Sequence, residues 1–414
     1  MLKIINSAEA SKLIARKAVR LTEAERIVEP ILKAVSTRGD AALFEYAEAF
    51  DGFERESFLV EKSELECAEQ TLSSDLRSAM QTAISNIGDF ARLQMPLEFM
   101  HELAPGHFVG QVVRPLERIA AYIPGGRFPL PSTVLMSCVP AKVAGVGDVW
   151  VTTPKENQAI FGAARLAGAD NVALIGGAHA VAAFAYGTET IPKADRIVGP
   201  GNIYVTAAKK MLAGSTGIDF VAGPTEVLIL ANEGRADWIA ADMLAQAEHD
   251  PDAAAIFLTT SAELGAAVAK EVERQLKGLP TAPTAKAAIK ANSAVVVCTS
   301  VQEQIDLANE IAAEHVCLHD PSIAGQIVNA GSLFLGECSV EAAGDYVTGP
   351  NHVLPTAGAA RLRGGLSVLD FVKVISVQQI SPDALARVAA AGTALARAEG
   401  LEAHARSIEV RLNA

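Results

Sequence analysis

With 414 residues, half of them apolar and only 5% aromatic, the chain is long enough for two or more domains. Its Ala, Val, Leu and Gly content suits an α/β protein built on parallel sheets. A net charge of -13 argues against a nucleic-acid or anionic-membrane partner, and no apolar run approaches the ~20 residues of a membrane span.

The amino terminus lacks the basic region and long apolar core of a signal peptide. The cysteines Cys67, Cys138, Cys298, Cys317 and Cys338 are scattered and never in Cys-x-x-Cys spacing. That suits small buried residues of a reducing cytoplasm, so any metal would be held by His, carboxylate and amide donors.

In chain order, Ala8–Lys17, Glu23–Ser36, Ala41–Phe50 and Ser63–Leu93 carry Ala, Leu, Glu and Arg at helical spacing, with Thr22 and Ser63 as candidate caps. His101 and His107 fall in a Pro/Gly-containing connection, where a surface histidine is the ordinary reading. From Arg118 the texture changes to strand 118–123, helix 132–144, strand 149–153, helix 157–167, strand 171–175, helix 178–186, strand 195–198 and helix 202–212. This alternation predicts a right-handed parallel sheet. Lys142–Val149 and Arg165–Val172 resemble each other, each a helix end, a glycine cap and a strand start.

Three strands of this region end in glycine: Pro124-Gly125-Gly126-Arg127, Gly176-Gly177 and Gly199-Pro200-Gly201-Asn202. A single pair is ordinary turn chemistry. Three in successive units predict a nucleotide crevice, where backbone N–H groups approach a phosphate, although no Gly-x-Gly-x-x-Gly is present.

A second α/β region follows: strand 226–231, a helix opening near Arg235, strand 254–259, helix 262–276, strand 294–298, helix 301–313 and strand 332–335. The first of these helices sets Asp242, Gln246 and His249 on one side, and Trp238, Ile239 and Met243 or Leu244 on the core side. Alone, Gln-x-x-His is a solvated helix face; with other donors nearby it can be one edge of a metal site. Glu314-His315 close the helix that opens at Val301, and as neighbours they can serve one substrate as separate proton carriers. Gly344–Thr356 reads as an ordered loop offering Asp345 and His352. The tail has an extended piece near 366–376, a helix from Pro382 to Glu399, and His404 close to the end.

Taken together, Tyr122-Ile123-Pro124-Gly125-Gly126, Val198–Asn202, Ala222–Glu226, Gln246–His249, Glu314-His315, Gly349–Thr356 and Glu399–His404 resemble the histidinol dehydrogenase family over nearly the whole chain. The resemblance implies two Rossmann-like parallel-sheet domains with a helical amino-terminal region and a small carboxyl-terminal tail, in an intertwined homodimer. Its domains would be an arm at 1–15, 16–121 plus 226–365 with the zinc and catalytic residues, 122–225 on the NAD side, and a swapped tail at 366–414. It also implies a cytoplasmic, zinc-dependent, NAD-linked four-electron oxidation of L-histidinol to L-histidine through L-histidinal, the last step of histidine biosynthesis.

By motif position, one zinc per subunit would be held by Gln246, His249, Asp345 and His404, the last crossing from the second subunit. Glu314 and His315 would be catalytic, with His315 taking the alcohol proton and Glu314 activating water. Tyr122, His179 and Asn202 would touch NAD, and Thr225, His315 and Glu399 would join the zinc ligands around the substrate. Asp242 would stand behind the zinc ligands or be an ordinary exposed carboxylate.

Two positions depart from the pattern: His179 stands where the family usually has Gln, and Thr225 where it usually has Ser. Gly-Pro-Thr-Glu also occurs in polyol-oxidising relatives such as sulfopropanediol dehydrogenase, an alternative that Glu399 opposes because a carboxylate suits a cation and repels a sulfonate.

Overall fold

The computed structural model describes residues 2–14, 19–126, 128–221 and 223–412; Lys17, Arg127 and Ala222, named above, lie outside them. The chain divides into two compact units: Met1–Leu93 with Leu116–Phe371, and Gln94–Pro115 with Val372–Ala414.

The first unit holds two parallel sheets. One has six strands in the order β1 (Lys3–Asn6), β11 (Ala294–Val297), β10 (Ala254–Thr259), β9 (Glu226–Leu230), β12 (His315–Leu318) and β13 (Ser332–Leu335). Every residue of β9, β10 and β12 is buried, which is why these short apolar runs show no polar alternation. Ile229, Phe257 and Val295 face Ile239 and Met243 of helix Ala236–Ala247. Their neighbours Leu228, Leu258 and Val296 face Ile305 and Ile311 of helix Val301–Ile311 on the other side. Truncating a fully buried ring such as Phe257 to Ala would cost about 3–5 kcal/mol.

The other sheet has five strands in the order β6 (Asn171–Ala173), β5 (Asp148–Thr152), β4 (Arg118–Tyr122), β7 (Arg196–Val198) and β8 (Gly217–Ile218). The amino-terminal helices bury their apolar faces here: Val28, Leu32, Val35, Leu43 and Phe58 share a core with Tyr122, Trp150 and Phe184. Helix Val19–Arg38 packs on helices Gly177–Tyr186 and Ile203–Leu212 of the five-stranded sheet with its apolar residues in that core, and helix Lys62–Thr71 packs on helix Gln158–Leu166. Residues 3–6 of the expected arm form edge strand β1 on β11.

Several local expectations change. Thr22 and Ser63 lie inside helices, and the second helix is capped by Glu61, whose side chain and Glu64 form a reciprocal capping box. The segment with His101 and His107 is not a loop but the hairpin β2 (Phe99–Ala104) and β3 (His107–Pro115), turned at Gly106 with φ 73°. The contacts therefore group 94–115 with the tail, since β3 pairs antiparallel with β14 (Val372–Ile380) over nine residues. The second unit is this three-stranded sheet with helices Pro382–Ala398 and Glu402–Glu409. Among the described residues no helix is long and apolar enough to cross a membrane.

Candidate active site

The predicted chemistry gathers at the amino-terminal edge of the six-stranded sheet. Helix Ala236–Ala247 runs antiparallel to the strands it connects, so its carboxyl end arrives where β9 and β12 begin. Carbonyl groups at a helix carboxyl end favour a cation. The helix opens after Arg235 as expected but stops at Ala247, leaving His249 beyond it and exposed. Trp238, expected on the core side, is partly exposed against Arg235, whereas Ile239, Met243 and Leu244 are buried.

Glu314 and His315 do not close the preceding helix. Ala312 adopts a left-handed conformation (φ 50°), the helix ends at Ile311, and His315 is the first residue of β12. One residue of β9 then holds both side chains: the Glu226 N–H donates to Glu314 Oε2 at 2.9 Å, and the Glu226 carbonyl accepts from His315 Nδ1 at 3.2 Å. The Thr225 hydroxyl is hydrogen-bonded to Glu314 Oε2. Gln246, fully buried, places its amide 2.6 Å from Thr225 Oγ1, 2.9 Å from the Glu226 N–H and 3.1 Å from Glu341 Oε1, with its NH2 toward Glu341 and its carbonyl toward the Glu226 N–H.

With Nδ1 bound to Glu226, His315 Nε2 faces carboxylates: Asp345 Oδ1 at 3.7 Å and Glu341 Oε1 at 3.9 Å. His249 Nε2 lies 3.9 Å from Asp345 Oδ2. Among the described residues the buried Nε2 has no hydrogen-bond partner. One donor atom each of His315, Glu341 and Asp345 fall within 4.8 Å of one another. An unpartnered buried nitrogen among hard oxygen donors, slightly beyond hydrogen-bond range, fits a divalent cation or a substrate amine. The expected donors Gln246, His249 and Asp345 adjoin this cluster. Glu399, at the end of helix Pro382–Ala398, and His404 belong to the second unit, where both are exposed.

The charges perturb one another. Burial raises the Glu314 carboxyl to about 7, opposed by His315 and the Thr225 hydrogen bond. Burial likewise raises Glu341 to about 8, opposed by His315 and helped by Asp345. Burial opposes the charge on His315, but Glu314, Asp345 and Glu341 outweigh it and raise the imidazole to about 10. Burial opposes the charge on Asp345 too, yet the surrounding imidazoles hold it below the usual carboxylate range. Asp242 is raised to about 6 by burial. His352 turns away from the cluster: Nδ1 donates to the Asp345 carbonyl at 2.7 Å and Nε2 meets Thr133 Oγ1 at 3.2 Å. A cavity of about 420 Å³ opens beside His315, lined also by Phe334, Asp345, Asn351 and Leu354.

On the five-stranded sheet three of the glycine-turn N–H groups are bound within the protein. The Gly176 N–H donates to Asp51 Oδ2, the Gly177 N–H to the Tyr122 hydroxyl, and the Gly199 N–H to Asp219 Oδ2. Their donors are satisfied within the protein. Tyr122 and His179 are buried, whereas Asn202 is exposed, its carbonyl capping helix Ile203–Leu212.

Glu341 and Asp51 are absent from the sequence reading. Glu341 and Asp345 are carboxylates four apart before an ordered loop, a spacing that would have flagged the former. Asp51 carries no such signal, because its partners lie 125 and 128 residues away.

The family profile described as histidinol dehydrogenase matches residues 14–412. A histidinol dehydrogenase from Rhizobium meliloti (strain 1021) is 46% identical over 397 residues, covering 94% of this chain and 92% of its own. One from Synechococcus sp. (strain ATCC 27144 / PCC 6301 / SAUG 1402/1) is 45% identical over 428 residues, with 99% of each chain covered. The crystal structure of histidinol dehydrogenase from Elizabethkingia anophelis superposes with a TM-score of 0.94 at 37% identity, covering 100% of this chain and 98% of that one. Matched over nearly its whole length in sequence and in fold, the chain belongs to the histidinol dehydrogenase family of oxidoreductases.

Proposed function

We propose that the chain oxidises L-histidinol to L-histidine through L-histidinal, the last step of histidine biosynthesis, as a zinc-dependent, NAD-linked cytoplasmic enzyme. The observation that carries this reading is the pair Glu314 and His315, locked on the backbone of Glu226, beside an acidic, imidazole-containing cluster. Such a cluster suits a cationic amino alcohol and disfavours a sulfonate, and Thr225 keeps the hydroxyl that binds Glu314.

Zinc would be held by Gln246, His249 and Asp345, with His404 of the partner subunit completing the set in a homodimer with shared active sites. Zinc there would orient the substrate and offset the surrounding carboxylates, and NAD would supply the hydride acceptor that each of the two oxidations needs. His315, anchored through Nδ1, presents Nε2 to the substrate hydroxyl and, in the zinc-loaded protein where that nitrogen has given up its proton, would take the hydroxyl proton as the alcohol is oxidised. Glu314 then takes a proton from water as its oxygen adds to the aldehyde carbon; burial, which favours its neutral form, makes it a proton carrier near pH 7. His315 gives its proton to the aldehyde oxygen as the water adds, which returns it to the neutral form, and then takes a hydroxyl proton of the hydrated aldehyde in the second oxidation. Thr225, Glu399 and the zinc ligands would bind the substrate, and Tyr122 and Asn202 would border the NAD.

The test is the yield of NADH per histidinol, with and without a chelator. About two per substrate, lost on chelation and restored by zinc, is the expected result. No turnover of histidinol by the zinc-restored protein would overturn the reading.

A further inference from the structure

The glycine turn that follows β6 is gripped by a residue from the amino-terminal helices. Asp51 ends a π-helical turn, Ala47–Asp51, and its Oδ2 accepts from the Gly176 N–H at 2.9 Å and from His179 Nε2 at 2.9 Å. A carboxylate accepts, so the proton between them is carried by Nε2, and Nδ1 has no hydrogen-bond partner among the described residues. His179 is 1% exposed, with the Tyr46 and Phe50 rings each 6.1 Å away. Its donor is directed at Asp51 rather than outward.

Gly177, at φ 58°, takes the left-handed conformation that the turn requires, and its N–H donates to the Tyr122 hydroxyl. Gly125 and Gly176 close on the same residue: a Cβ on either would lie 2.3 or 2.5 Å from the Pro154 side chain. Asp51, His179, Tyr122 and the turn therefore form one hydrogen-bonded assembly at the carboxyl end of the sheet, where open α/β sheets bind ligands. The anion at the turn's N–H is the protein's own.

We propose that Asp51 and His179 are a positioning pair that presets the Gly176–Gly177 turn and Tyr122 as a wall of the dinucleotide site, whose ligand draws no N–H from that turn for its phosphates. This rests on the NAD-linked reading above. His179 acts through Asp51 and does not touch the cofactor.

The test is NADH affinity, measured by isothermal titration on zinc-loaded wild type, Asp51→Asn, His179→Ala, His179→Gln and the Asp51→Asn/His179→Ala double variant. Zinc content and a thermal melt verify that each is folded. Each single truncation should weaken binding about tenfold, as loss of a hydrogen bond to a charged group does. The double should be no weaker than the worse single, because both act through one contact. His179→Gln, whose amide also donates to Asp51, should bind within about twofold of wild type.

Weakening by His179→Ala with no effect of Asp51→Asn would overturn the proposal in favour of direct cofactor contact. A multiplicative double variant, or lowered melting temperatures with unchanged affinities, would also overturn it. If Asp51→Asn fails to fold, the contrast between His179→Ala and His179→Gln decides: equal weakening of both would sink the pair. A folded, zinc-loaded wild type that binds no NADH would instead overturn the NAD-linked reading.

Discussion

His315 Nε2 lies buried 3.7 Å from Asp345 Oδ1 with no hydrogen-bond partner among the described residues, so at this nitrogen the metal-free imidazole is held as a cation by nearby charge. Burial opposes its charge, but Glu314, Asp345 and Glu341 prevail and set it at about 10. A group whose folded value lies above its unfolded value of roughly 6.5 adds stability that is complete below that pH and is lost as pH rises through about 10. A divalent cation entering the cluster opposes that proton. Zinc binding to metal-free protein at pH 7.5 should therefore release about one proton from His315. Titrations in buffers of different ionisation enthalpy measure it. His315→Gln should lower the release to what Glu341, also protonated at that pH, gives up, and identical apparent enthalpies in all buffers would refute the coupling.

Glu341 is 1% exposed and links Gln246 to His315, at 3.1 Å from the Gln246 amide and 3.9 Å from Nε2. Glu341→Gln removes a carboxyl that a bound cation would ionise while keeping the shape. Zinc affinity, measured by competition with a chromogenic chelator, should fall 10–100-fold, as it does when partners of metal ligands are changed. Unchanged affinity would show that this carboxylate neither orients Gln246 nor attracts the metal.

Much of this arrangement was legible because it is local. The alternation of short apolar runs with amphipathic segments located β4 to β7 and β9 to β11, and helix 236–247 opened where Arg235 suggested. The hairpin β2–β3 was hidden, since its long partner β14 lies more than 250 residues onward and the sequence near Gly106 reads equally well as a loop. Glu314 and His315 were found as a pair but on the wrong element, because the left-handed Ala312 ends the helix without a glycine to announce it. What the sequence could not carry was the identity of long-range partners. Asp51 on the Gly176 turn and Glu226 beneath His315 are contacts of tertiary packing, invisible to any periodicity.

Asp242 offers a stability test separate from catalysis. Burial is the cause that raises its carboxyl from 3.8 to about 6. The unfolded chain therefore gives up this proton at lower pH than the fold does, and the contribution to stability falls as pH rises from about 3.8 to about 6. Above that window the full cost of burying the charge is present. Asp242→Asn should stabilise metal-free protein at pH 7.5 by on the order of 1–3 kcal/mol, with a gain that shrinks as pH is lowered through 6 toward 4. Urea unfolding of both proteins across that range measures the difference. A gain independent of pH would mean that the substitution acts through packing and not through the charge.

The proposed sharing of His404 between subunits has a signature that no single-chain defect reproduces. A His315→Ala chain keeps its own His404, and a His404→Ala chain keeps its own Glu314 and His315. If the imidazole of each tail serves the other subunit, a mixed dimer has one site lacking both residues and one site lacking neither. Each variant alone should be nearly inactive. After unfolding and refolding together at equal amounts, about half the dimers are mixed by random pairing, and each carries one intact site. Activity should recover to about a quarter of wild type. If His404 serves its own chain, every site in the mixture has one lesion and nothing is regained. Differently tagged chains, isolated as the doubly tagged species, verify exchange; an inactive mixed dimer would overturn the shared site while leaving the chemistry proposed for Glu314 and His315 untouched.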